Sequence, residues 1–219
     1  MLEHESSVIS IDAFHNRVSN PIGIQNQYGL LIPLIKESGE WHVLFEERSH
    51  TLRAQPGEIC FPGGKRESGE SAEECALRET CEELGLSETD ITIIGPSDYI
   101  LSPFRALLFP FVGILEVDSV HALKPNADEV SALFTVPLSF LLATNPEIHH
   151  LETAILPDTN FPYHKIQHGR NYPWKLSKHN IIIYEYNNRV IWGLTANLLK
   201  AFLDIIKDDP KNQLGHFNI

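Results

Sequence analysis

Cysteine is scarce in this chain: three in 219 residues, Cys60, Cys75 and Cys81. The count is odd and no CxxC spacing occurs, which excludes a disulfide framework and a zinc site of the usual spacing. All three are expected as buried, reduced thiols. Long apolar runs are missing too. Nothing approaches the roughly 20 residues of a membrane-spanning helix. The opening MLEHESSVIS lacks the basic and apolar regions of a secretory signal. The closing HFNI is not a peroxisomal SKL-type address. The expected location is therefore cytoplasmic, with no membrane contact. A basic stripe is also absent. Lys and Arg number 17 against 29 Asp and Glu, a formal net charge of -12. That balance excludes a general nucleic-acid binder. It leaves an anionic substrate open, because a metal ion and a few local cations reverse the potential where it matters.

What is present reads as one α/β domain over residues 1–219, with 42% apolar and 21% charged residues. No repeat, low-complexity tract or linker divides it. Residues 1–25 form an arm, with a short helix expected over 10–19. Strands are expected at 28–35 and 41–46, around the Ser38-Gly39 turn, and at 58–61. A helix follows over 72–84. Residues 91–94 and 98–101 are strand candidates. The apolar stretch 107–117 contains Pro110, so it is expected at a sheet edge or broken by a bulge. Further on come a strand at 130–134 and a short helix at 137–143. Residues 144–178 read as an irregular insertion. Asn187-Asn188 predicts a hairpin between 181–186 and 190–192. The final helix, 195–207, turns Leu198, Leu199, Phe202, Ile205 and Ile206 inward.

The chemistry concentrates in 64–86, GKRESGESAEECALRETCEELGL. Ser71 and Glu74 form a capping box, and Gly85 sits at the helix stop. Leu77, Thr80, Cys81 and Leu84 share a stripe at i, i+3, i+4, i+7, expected to pack on the sheet. Glu79, Glu82 and Glu83 converge on the opposite side, where Ala72, Cys75 and Ala76 leave room. Three carboxylates in one turn repel one another. They also supply the hard oxygen ligands that Mg²⁺ or Mn²⁺ takes together with substrate phosphates. Arg78 faces Glu70 across two turns and is placed to orient Glu79. The Gly63-Gly64 turn lets backbone approach a metal or phosphate. The alternative is a solvated acidic helix face.

The full spacing of the stretch runs glycine, five residues, Glu, seven residues, Arg-Glu, two residues, Glu-Glu, one residue, Gly and an aliphatic. It resembles the Nudix box. The resemblance implies a Nudix-type α/β/α sandwich with a mixed β-sheet. It implies Mg²⁺- or Mn²⁺-dependent hydrolysis of a nucleoside diphosphate linked to a second group. By motif position, Glu79, Glu82 and Glu83 would ligate the metal beside Gly64. Glu79 would also be the candidate base, and Arg78 the orienting residue.

Upstream, Arg48-Ser49 and Leu52 to Gly64, LRAQPGEICFPGG, resemble the extra signature of the coenzyme A pyrophosphatase branch. So do Asp128-Glu129-Val130, the stretch 136–141 and Ile191 to Ala196. One departure is Gln55, where the branch usually has His. Gln hydrogen-bonds but carries no charge near neutral pH. Arg48 and Arg53 suit phosphate recognition, against the alternative of surface pairing with Glu46, Glu47 or Glu58. Phe104 is placed to stack on adenine, or is a half-buried loop aromatic. Glu129 is a candidate extra metal ligand or base. The histidines at 149, 150, 164, 168 and 179 read as loop residues, and Trp174 and Trp192 as core. The resemblance implies cleavage of coenzyme A (CoA) or acyl-CoA to 3′,5′-ADP and the 4′-phosphopantetheine part. ADP-ribose, an NADH-like dinucleotide or a nucleoside triphosphate are the alternative substrates. A non-catalytic nucleotide sensor is the alternative of another class. Residues 144–178 are open as a lid, a pantetheine wall or a homodimer surface.

Overall fold

A computed structural model describes residues 14–15 and 17–209 of the chain. Half of the helix expected over 10–19 falls outside them, and of the described half, residues 17–19 form no helix. Eight strands make a mixed sheet: β1 (Asn26–Glu37), β2 (Glu40–Arg48), β3 (Ile59–Cys60), β4 (Gly63–Lys65), β5 (Ile91–Pro96), β6 (Ile100–Leu101), β7 (Ala106–Leu115) and β8 (Val130–Pro137). Its spine runs β3-β2-β1-β7-β5, with β4 on β1, β6 on β7 and β8 on β2. The β1–β7 pair is parallel and the remaining pairs are antiparallel. Helix α1 (Ala72–Leu84) covers one face. The other face is covered by α3 (Gly193–Asp208) and a small antiparallel sheet of β9 (Glu147–Thr153), β10 (Ser177–Tyr186) and β11 (Arg189–Trp192). The short helix α2 (Leu138–Ala143) follows β8.

Burial of the central sheet on both faces explains the near-continuous apolar runs of β1 and β2. Leu31, Ile35 and Leu44 pack with Leu84 under α1. Ile32, Leu34, Val43 and Phe45 pack with Leu198, Leu199, Phe202 and Leu203 under α3. Phe45 stacks between Phe61 and Phe134 at 5.0 and 5.4 Å.

Several expectations are corrected. β7 is an interior strand with β1 on one side and β5 and β6 on the other. Pro110 is tolerated because its nitrogen, on the same side of the strand as its carbonyl, faces the gap between β5 and β6, where no ladder pair needs the missing donor; the carbonyl accepts from Ser97 N at 2.9 Å. The bulge lies on β5, between Ile93 and Gly95. The insertion 144–178 is not irregular throughout. It holds β9, and β10 begins in it. All seven β9 side chains are exposed, so burial left no alternating signature in EIHHLET. The histidines at 149, 150 and 179 therefore sit on strands. Trp192 is 46% exposed and Ile205 47% exposed, so neither is core.

Helix α1 packs the expected stripe of Leu77, Thr80, Cys81 and Leu84 on the sheet, and buries more beside it. Its buried residues are Cys75, Ala76, Thr80, Glu83 and Leu84, with Leu77 and Cys81 half-buried beside them. The small residues do not leave room above a metal. They seat the helix on β1 at Gly29, where a Cβ would run into Ala72 O and Ala76 N. The capping box is formed as expected: Ser71 Oγ accepts from Glu74 N at 3.1 Å, and Glu74 Oε2 accepts from Ser71 N at 2.7 Å.

Candidate functional site

A cleft of about 610 Å³ opens where β3, β4 and the starts of β1, β7 and α3 meet. Of the residues singled out in the sequence, Gly64, Glu79, Glu83, Arg48, Gln55, Phe104 and Glu129 line it. Glu82 and Arg53 are exposed and do not. One wall is acidic, built from Glu79, Glu83 and Glu129. The other is apolar, with Leu52 and Ile59 facing Leu194 and Leu198 of α3.

Each acid is held by a different device. Glu83 faces the sheet, and its Oε2 accepts from Gly63 N at 2.8 Å. Burial pushes its carboxyl up to about 9, with the charge of Glu46 adding to the effect. Glu79 also lies above its ordinary value, chiefly through burial. Its carboxyl fills the hollow left by Gly64, where a Cβ would run into it. Glu129 sits on the loop before β8. That loop is tied to the end of α1 by Lys124 N donating to Leu84 O at 3.1 Å and Asn126 N donating to Glu83 O at 2.9 Å.

Arg78 organises the outer edge. Its Nε and a terminal nitrogen donate to the two oxygens of Glu70 at 3.2 and 3.1 Å. It also reaches Glu79 at 2.9 Å and Glu82 at 3.5 Å. The pair with Glu70 expected from spacing is therefore formed, and it holds the Glu70 carboxyl down at about 2. Arg48 is half-buried at the end of β2, and its Nε is buried with no hydrogen-bond partner. The surface pairing considered for it is not what holds it. Gln55 donates to Glu58 at 2.9 Å. Phe104 is 79% exposed on the cleft rim, not a half-buried loop aromatic.

These residues fit a divalent cation. They supply hard carboxylate oxygens partly withdrawn from water, and the glycine hollow admits the Glu79 carboxyl beside backbone. As placed, no three ligating side chains among the described residues close on one point. Arg78 instead draws Glu79 and Glu82 toward itself.

Sequence reasoning missed Glu46, which is fully buried on β2. Burial raises its carboxyl to about 7, and the charge of Glu129 adds to this, while a hydrogen bond from Cys60 and the charge of Arg48 pull it down. The signal was available. Leu44 and Glu46 alternate onto the face that α1 covers, so an acid there breaks a buried series.

A NUDIX domain model matches residues 26–155. Nudix hydrolase 3 of Caenorhabditis elegans is 30% identical over 203 residues, covering 89% of this chain and 79% of its own length. The peroxisomal coenzyme A diphosphatase NUDT7 of Mus musculus is 34% identical over 140 residues, 64% of this chain. The match spans only 58% of that relative's length. The mitochondrial coenzyme A diphosphatase NUDT8 of Homo sapiens is 27% identical over 179 residues, 81% of this chain and 68% of its own length.

Proposed function

This chain belongs to the Nudix family, and on that premise we propose that it hydrolyses the diphosphate of CoA or acyl-CoA to 3′,5′-ADP and the 4′-phosphopantetheine part. The observation that carries the reading is the two-walled cleft, with Arg48 among its lining residues. A CoA-like substrate has the matching parts: a diphosphate for the acidic, cation-binding wall and a long, largely apolar arm for the wall of Leu52, Ile59, Leu194 and Leu198. Two of the relatives are named as coenzyme A diphosphatases, which points the same way.

Glu79, Glu82 and Glu83, with the backbone at Gly64 and a further oxygen from Glu129, would hold Mg²⁺ or Mn²⁺. When bound, the cation supplies Lewis-acid polarisation of the diphosphate and neutralises charge on it. Arg48 lines the cleft and binds a diphosphate oxygen through its guanidinium. Gln55 takes a neutral hydrogen bond at the rim, and Phe104 offers its exposed ring to the adenine. Arg53 assists from outside as a solvated cation. Glu79 accepts the proton of the attacking water, and burial raises its half-buried carboxyl above its ordinary value. Arg78 orients Glu79 and is itself held by Glu70. The unbridged thiols agree with the cytoplasm as the proposed compartment. Among the described residues, no helix is long and apolar enough to cross a membrane.

The test is to incubate the purified protein with CoA, acetyl-CoA, ADP-ribose, NADH and nucleoside triphosphates, with Mg²⁺ or Mn²⁺, and resolve the products by chromatography. Release of 3′,5′-ADP from the CoA substrates at the highest kcat/KM is the expected outcome. Turnover of another nucleotide with no 3′,5′-ADP under either metal removes the CoA reading. Tight binding without turnover of any of them identifies a sensor instead.

A further inference from the structure

Glu46 is unlike every other acid among the described residues. It is fully buried, and only Glu83 at 5% exposure comes near it. It lies opposite Cys60 on the β2–β3 ladder, and its Oε1 accepts from Cys60 Sγ at 3.1 Å. Its Oε2 is buried with no hydrogen-bond partner. A carboxylate oxygen withheld from both water and donors is costly, and a neutral side chain would avoid the cost.

Two ordinary explanations fail on geometry. Accepting from a thiol uses one oxygen, and a Gln carbonyl would serve equally. Arg48, two residues along the same strand face, is the nearest candidate counter-ion. Yet Arg48 Nε and Glu46 Oε2 are both buried without a hydrogen-bond partner, so Arg48 acts on Glu46 through its charge and not through a hydrogen bond between these atoms. The groups that face Glu46 are Glu83 from α1, Glu129 from the loop before β8, Arg48 and the Cys60 thiol. Three carboxyls and one arginine lie within electrostatic reach of one another, two of the carboxyls buried. Once ionised, the group that would balance them is a cation.

We propose that Glu46 is a fourth carboxylate of the divalent-cation site, set behind Glu83, and that the site uses its charge and not its volume. This rests on the reading of Glu79, Glu82 and Glu83 as cation ligands. Glu46 acts from behind them as a positioning residue. It adds negative charge through a medium of low dielectric, where a few ångströms of separation attenuate it little, and it leaves Arg48 free for the diphosphate.

The experiment measures Mn²⁺ binding without substrate, by electron paramagnetic resonance of the free ion, for the native protein, Glu46→Gln, Glu46→Asp and Glu79→Gln. Melting temperatures are taken with and without the metal. Partners behind a metal's ligands change affinity by about 10- to 100-fold, so Glu46→Gln is expected to bind Mn²⁺ at least tenfold more weakly. Its metal-free melting temperature should equal or exceed the native one, because a buried, uncompensated carboxyl has been removed. Glu46→Asp keeps the charge and should recover most of the affinity. Binding by Glu46→Gln within twofold of native, with Glu79→Gln weakened, overturns this proposal and leaves the cation site standing. Equal loss in Glu46→Asp and Glu46→Gln also overturns it, since charge would not then be what matters. A native protein that binds no Mn²⁺ overturns the cation site and this proposal together.

Discussion

Just before α1, Glu70 receives two hydrogen bonds from Arg78, and its carboxyl sits at about 2. Near the other end of the helix, Glu83 lies beside Glu46, and no cation among the described residues pairs with either. Burial lifts Glu83 to about 9 and Glu46 to about 7. The two ends differ in what completes them. The outer acid is balanced by the protein itself: Arg78, held by Glu70, reaches Glu79 at 2.9 Å, the contact by which the proposed function has it orient Glu79. The inner acids are left in deficit, and perturbed carboxyls in a cleft are the usual mark of a site awaiting a ligand.

The largest effect should come from the inner end. Glu83→Gln is expected to lower kcat by at least 10²- to 10³-fold, the scale of losing one charged group in a closed site. The metal-free protein should melt no lower than native. Steady-state kinetics and calorimetry on one preparation check both. Near-normal turnover would break the contrast, because the buried acid would then be only structural.

A smaller effect is expected at the outer end. Arg78→Ala releases Glu70, Glu79 and Glu82 together, and activity should fall about 10- to 100-fold. Arg78→Lys should restore only part, since a single ammonium cannot reproduce the forked contact with Glu70. Full activity in Arg78→Lys would show that charge alone, without the fork, positions Glu79.

The smallest effect is a pH dependence of opposite sign at the two ends. Glu83 and Glu46 hold their protons more tightly folded than unfolded. Their contribution is complete below about 4.5 and is lost as pH rises through about 7 and about 9. Glu70 holds its proton less tightly folded. Its contribution is present above about 4.5 and is lost as pH falls toward about 2. The metal-free melting temperature should therefore peak near pH 5 and decline on the alkaline side by on the order of 5 °C. Saturating Mg²⁺ should flatten that alkaline limb. A limb unchanged by Mg²⁺ would separate the buried acids from the cation site.

Much of this was readable before any coordinates. Local chemistry determined α1 from Ala72 to Leu84, its capping box and its glycine stop, because caps act within one turn of the chain. The Arg78–Glu70 tie followed from spacing, and Asn187-Asn188 marked the β10–β11 hairpin. Tertiary structure alone decided which of the α1 carboxylates is buried. Helical periodicity placed Leu77, Thr80, Cys81 and Leu84 toward the sheet, where they pack, with the glutamates on the opposite side. The hollow at Gly29 on β1 also seats Cys75 and Ala76, and Glu83 turns inward, onto Glu46. The spacing of α1 alone cannot register a glycine on a distant strand. The proposed cation site depends on that burial, because a carboxyl withdrawn from water must hold a proton or be balanced by a cation.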